Sequence, residues 1–214
     1  MWKKGRAALA TLAVALVPVV CGAELIDRVL ALVGGTVITQ SDAAAALSFG
    51  LIPRPAASAD PVAAAVDALI RRQLILDEVN RYAAMEVDPA VVARRMNEIR
   101  SEFASPEQYR AAMARTAMNE TRLRDAVEAN VRIEEYMAQR FGVSEPTDEE
   151  VAAYYAAHQS AFKSAGRQLS LQEASIVIRQ RLVDEKRRAL IDDWVARLRR
   201  RAEVTNLYFA DALR

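Results

Sequence analysis

The stretch "RVLALVGGTVITQSD", Arg28 to Asp42, limits the possible folds most, because it sets a short β-hairpin in a chain whose other patterns are nearly all helical. Val29, Leu30, Leu32 and Val33 lead into Gly34-Gly35, and Val37, Ile38 and Thr39 lead out, a two-residue turn between β-formers. Two short strands alone are marginal in water, so the pair needs a third strand or a helix to lie against. The final stretch "AEVTNLYF", Ala202 to Phe209, returns to β-favouring residues. Val204 to Tyr208 is therefore predicted to pair with one of the strands at Val29 to Val33 or Thr36 to Thr39, clasping the two ends of the chain together.

Between these segments the chain is punctuated by helix starts. Ser41 and Asp42 are predicted to cap a short helix from Ala43 to Phe49, and "GLIPRPAASADP" then reads as a loop. Asp60-Pro61 opens a helix to about Ala84 whose apolar residues, among them Val66, Ile70, Leu74 and Val79, spread over more than one stripe, the mark of a central helix. Asp88-Pro89 starts the next, with Val92, Met96, Ile99 and Phe103 on one face. Ser105-Pro106-Glu107-Gln108 has the form of a capping box, and Asn119 is placed to cap a helix that Gly142 ends. Thr147 to Glu150 and Ser170 to Glu173 are further capping boxes, with a polar link from Lys163 to Leu169 between the helices they open. The last helix runs to about Ala202, with Ile178, Leu182, Leu190, Trp194, Leu198 and Ala202 in steps of four; at ~1.5 Å per residue it is on the order of 50 Å long, so part of it is expected to project. Hydrophobic residues make up 52%, inflated by alanine, and aromatics only 6%, which favours helices packed through small side chains over a β-sandwich. The expected fold is mainly α, with no internal repeat.

The first 23 residues read as a signal peptide. Lys3, Lys4 and Arg6 form a basic start, Ala7 to Val20 is apolar apart from Thr11 and Pro18, and Cys21-Gly22-Ala23 offers small residues for cleavage before Glu24. The run is shorter than the ~20 residues a spanning helix needs, which favours cleavage over a retained anchor. Losing the leader's three basic residues takes the formal charge from +1 to −2, a poor balance for nucleic-acid binding. It also removes Cys21, the only cysteine, so packing alone must hold residues 24–214 together.

Little catalytic chemistry is available. His158 is the only histidine, so zinc sites and histidine-based triads lack ligands, and Gly34-Gly35 lacks the Lys-Ser/Thr of a phosphate loop. Asp148, Glu149 and Glu150 suit a helix N-terminus, and Asp192 and Asp193 a charged helix face, better than an acid/base pair. Arg197, Arg199, Arg200 and Arg201 are read chiefly as a basic helix C-terminus, with a phospholipid or nucleic-acid contact as the alternative. Met85, Met96, Met113, Met118 and Met137 sit in or near helices, with Phe103 and Tyr109 among them. Methionine suits surfaces that accept varied apolar partners, so Phe103, Tyr109, Met113 and Met118 are the candidate client-binding residues. No cofactor is expected.

Four segments carry a family resemblance. "IDRVLALVGGTVITQSD", Ile26 to Asp42, resembles the mature start of the SurA-type periplasmic chaperones, a hairpin followed by a capped helix. "VDALIRRQLILDEVNRYAAMEVDPAVVARRMNEI", Val66 to Ile99, resembles that family's next two helices. "PTDEEVAAYYAAHQSAF", Pro146 to Phe162, is similar to the segment before its parvulin domain, and "RLVDEKRRALIDDWVARLRRRAEVTNL", Arg181 to Leu207, to its closing helix and strand. In the family a parvulin prolyl-isomerase domain follows the counterpart of Phe162; here only Lys163 to Leu169 does, and the paired histidines of its active site are missing. The resemblance thus implies a single chaperone core over residues 24–214 (24–142, 147–162 and 170–209) without isomerase activity. It implies an ATP-independent holdase, exported to the periplasm, that binds unfolded polypeptides, typically outer-membrane β-barrel precursors. The alternative is a scaffold or assembly factor with one dedicated folded partner.

Overall fold

In a computed structural model, residues 27–54, 60–82, 86–164 and 167–208 are described; the leader with Cys21 and Glu24, and Met85, lie outside them. The hairpin forms from β1 (Val29–Val33) and β2 (Thr36–Thr39), closed by Gly34 and Gly35 at φ of 55° and 89°, the left-handed pair that a two-residue turn demands. Leu30 is the extra residue of a bulge between Val29 and Ala31, which lets the adjacent Leu30 and Ala31 both be buried. The third strand is β5 (Val204–Asn206), antiparallel to β1 with Leu32 opposite Thr205, giving the order β2-β1-β5. The clasp therefore closes on the first strand of the hairpin. Bonds from the Gly34 amide to the Glu203 carbonyl (3.0 Å) and from the Leu207 amide to the Leu30 carbonyl (2.9 Å) extend the pairing at both ends.

Seven α-helices stand among the described residues. The first, α1 (Gln40–Ser48), begins three residues before the predicted Ala43, because β2 runs straight into it. Thr39 is its cap: the hydroxyl accepts from the Asp42 amide, and the Asp42 carboxylate accepts from the Thr39 amide at 2.9 Å. Ser41 and Asp42 thus lie inside the first turn, and the Ser41 amide donates to Asp27. Gly50 (φ 62°) ends the helix, with the Leu51 amide reaching back to the Ala46 carbonyl in a Schellman arrangement.

The other starts agree closely with the sequence. Asp60 caps α2 (Pro61–Tyr82), Asp88 caps α3 (Pro89–Ser101), Ser105 caps α4 (Pro106–Arg115) and Asn119 caps α5 (Glu120–Arg140). Thr147 and Ser170 form full capping boxes on α6 (Asp148–Ala157) and α7 (Leu171–Arg201), whereas Ser105 accepts from the Gln108 amide without a return bond among the described residues. After α6 comes a 3-10 turn (Gln159–Ala161), and the Lys163 to Leu169 link holds a small hairpin, β3 (Lys163–Ser164) with β4 (Arg167–Gln168).

Apolar side chains gather in three clusters. The largest surrounds α2, where Val66, Ile70, Leu74 and Val79 meet Leu30 and Val33 of the sheet, Tyr136 and Phe141, and Trp194 and Leu198 of α7. A second joins α1, α3, α4 and the start of α5. The third, Val151, Phe162, Ala174 and Ile178, belongs to α6 and the first half of α7. Leu190, placed by its spacing on the buried series of α7, is 50% exposed. Steps of four advance 40° beyond a full turn, so the series drifts by about 200° between Ile178 and Leu198. The two ends of α7 therefore bury opposite faces, and residues 187–190 between them are exposed.

Candidate functional site

Phe103, Tyr109, Met113 and Met118 come together in the second cluster. Phe103 follows α3, Tyr109 and Met113 stand one turn apart on α4, and Met118 lies in the turn before α5. Tyr109 and Met113 are buried, while Phe103 and Met118 keep partial exposure. Phe49, at the end of α1, completes an aromatic triad with ring centroids 5.7 Å from Phe103 and 6.0 Å from Tyr109; Phe103 and Tyr109 are 5.4 Å apart. Two of the three pairs are edge-to-face, the arrangement the ring quadrupoles favour. The Tyr109 hydroxyl donates to Glu120 (3.0 Å), which also receives Arg100 at 2.8 Å. Burial, followed by the hydrogen bond to Glu120, pushes the Tyr109 phenol above its ordinary range.

Phe49 and Phe103 line a groove of about 410 Å³ between the end of α1, α3 and α5. Leu47, Leu51, Ile99, Val127 and Val131 add to its apolar floor, and Arg95, Glu98, Glu102 and Glu134 stand on its rim. Arg95 bridges the two helices of the rim, 3.0 Å from Glu134 and 3.5 Å from Glu98. Below them Arg72 of α2 donates to Asn130 (2.6 Å) and the Ala126 carbonyl (3.0 Å), and Asn130 donates to the Leu51 carbonyl (2.9 Å). This network fixes α2, α5 and the exit from α1 relative to one another, which makes the groove a preformed feature. Its desolvation lowers the pKa of Arg72.

Met118 instead lines a smaller cavity of about 220 Å³ with Ile38, Leu69 and Arg72. The four candidate residues thus share one apolar body but do not line one surface. Of the other methionines, Met96 is fully buried in the second cluster and Met137 packs against the main core. Phe49 and Ile99 are groove residues that the sequence reading did not select. Phe49 is separated from Phe103 by a loop and two helices, and nothing local marks the two rings as partners.

Four of the five carboxylates considered for acid/base chemistry, all but Glu149, are held in structural pairs. Asp148 is paired with Arg179, Glu150 with Lys186 at 2.6 Å, Asp192 with Arg71 at 2.7 Å, and Asp193 with Arg197. His158 is exposed and stacks on Tyr154. Among the described residues no group of His, Cys, Asp or Glu is placed to hold a metal ion, and no helix is long and apolar enough to cross a membrane. Comparison with known protein families and with curated proteins finds no match to this chain.

Proposed function

We propose that this chain is an ATP-independent holdase of the SurA type, without a parvulin domain, that covers apolar segments of unfolded polypeptides in the periplasm. The observation that carries the reading is the groove between α1, α3 and α5: an apolar floor with Phe49, Ile99 and Phe103, inside a rim of both charge signs. Such a groove admits an extended or helical segment through its apolar side chains and fits many sequences, because the contacts are non-directional. The order of hairpin, capped helices, long closing helix and closing strand along the chain supports the same reading. Outer-membrane β-barrel precursors are the proposed clients, and the reading includes no catalytic step.

Light scattering tests it. A denatured β-barrel protein diluted into buffer with the chain from Glu24 onward is expected to stay clear at near-stoichiometric ratios without nucleotide. Unchanged aggregation across several unrelated clients would contradict the proposal.

One observation favours the alternative of a single folded partner. Ile176 and Val177 on α7 are 79% and 57% exposed and lie beside Arg181, Asp184 and Arg188, a small apolar face with charges around it. In that reading Ile176→Asp abolishes capture of one specific protein and leaves aggregation assays unaffected.

A further inference from the structure

The ends of α2, α5 and α7 enclose a second basin, of about 430 Å³, that shares no lining residue with the groove. Arg197, Arg200 and Arg201 form its α7 wall and Arg140 its α5 wall, with Glu78 and Tyr82 contributed by α2. Arg197, Arg200 and Arg201 fall three and four residues apart, on the face that also carries Trp194. Arg199 is turned away from that face and is not part of the basin. A basic helix C-terminus accounts for the arginines at the end of α7 and for Arg140 in the last turn of α5, but not for the convergence of the two helix ends on one basin.

The charges in the basin are only partly matched. Glu78 is shared between Arg81 at 3.3 Å and Arg201 at 3.7 Å, and Arg197 is paired with Asp193 on its own helix. Among the described residues no carboxylate forms an ion pair with Arg140 or Arg200. Instead the Arg140 guanidinium lies 5.6 Å from the ring centre of Trp194 and 5.8 Å from those of Tyr136 and Phe141. Aromatic faces hold a cation in place without neutralising it, so its N–H fork remains free for an anion. Tyr82, beside it, is 71% exposed, and an exposed tyrosine with a polar tip suits the boundary between membrane and water.

We propose that this arginine basin docks phosphate-bearing anions, and that their source is the headgroup layer of an anionic membrane. Guanidinium forks match phosphate oxygens in pairs. An open basin holds one small phosphate weakly, but a surface of many headgroups engages all of its arginines at once, each contributing about fivefold in affinity.

The test uses the chain from Glu24 onward with vesicles of phosphatidylcholine alone, or with phosphatidylglycerol added, at low salt. Binding is expected only to the anionic vesicles. Arg140→Gln/Arg200→Gln is expected to weaken it by about thirtyfold, whereas Arg110→Gln/Arg115→Gln, which removes the same charge on α4, leaves it nearly unchanged. Arg200→Gln alone touches no ring and carries about a fivefold loss even where the Arg140 change disturbs the aromatic cluster. Equal losses in the two double variants would overturn the proposal, because net charge then explains the binding. Inorganic phosphate is the second arm. A thermal shift with phosphate that requires Arg140 and Arg200, without vesicle binding, would overturn the membrane as the source. Silence in both arms, or a response to polyglutamate alone, would overturn the phosphate site itself.

Discussion

Glu173 accepts both nitrogens of the Arg167 fork, at 2.7 and 3.1 Å, and also the Ser170 amide (2.7 Å) and hydroxyl (2.8 Å). Arg167 first, and then the Ser170 cap, lower its pKa from the ordinary 4.5 to about 2. The folded value lies below the unfolded one, so its contribution to stability is present above about pH 4.5 and is lost as pH falls toward 2. Carboxyl NMR titration is expected to find Glu173 near 2, and Arg167→Gln to move it back toward 4.5; a titration at 4.5 in the unaltered chain would remove the proposed pair. Tyr136 is a contrasting case, since its hydroxyl is buried with no hydrogen-bond partner among the described residues. An unmet hydroxyl costs stability, so Tyr136→Phe is expected to be neutral or to stabilise by about 1 kcal/mol in urea unfolding, and a loss of that size would reveal a partner. Caps were legible in the sequence because donor and acceptor stand three residues apart. Thr39 escaped because Ser41 and Asp42, both good caps, follow within three residues of it. Buried Glu78 escaped because one of its partners, Arg201, lies at the far end of the chain.

Among the elements, α7 and β5 decide how the chain is held together. The opposite burial of the two ends of α7 predicts that Ile178→Ala costs about 2–5 kcal/mol, while Leu190→Ala stays within about 0.5 kcal/mol. Equal costs would contradict the assigned faces. Truncation after Arg201 removes β5 and the half-buried Val204 and Tyr208, whose hydroxyl donates to Asp60 at 2.7 Å. Asp60 also caps α2, accepting from the Val62 and Ala63 amides at 3.0 Å, so one carboxylate links the segment after β5 to the start of the central helix. The truncated chain is expected to lose about 3 kcal/mol or more, read as a lower melting temperature, and an unchanged one would sink the clasp. The clasp was legible because an isolated hairpin needs a partner and the final stretch of the chain returns to β-favouring residues. That Leu190 lies off the buried face was hidden, since steps of four look like one stripe until their drift is summed over a long helix.

At the scale of the molecule, three apolar clusters share one chain, and the groove opens where α1, α3 and α5 meet beside the second. Periodicity located those helices, and methionine and aromatic content pointed to the same cluster. Which side chains reach the opening depends on distances between remote segments, and so Phe49 and Ile99 became visible only in three dimensions. The charged rim offers a way to probe the groove without changing its floor. A photo-crosslinking residue at Glu102, exposed on that rim, can be compared with one at Gln180, on the exposed face of α7 beside Ile176 and Val177. Each variant is mixed with a denatured β-barrel protein, irradiated and resolved by mass. The groove account predicts a crosslinked product from Glu102 and little from Gln180; a product from Gln180 alone, or from neither, would contradict it.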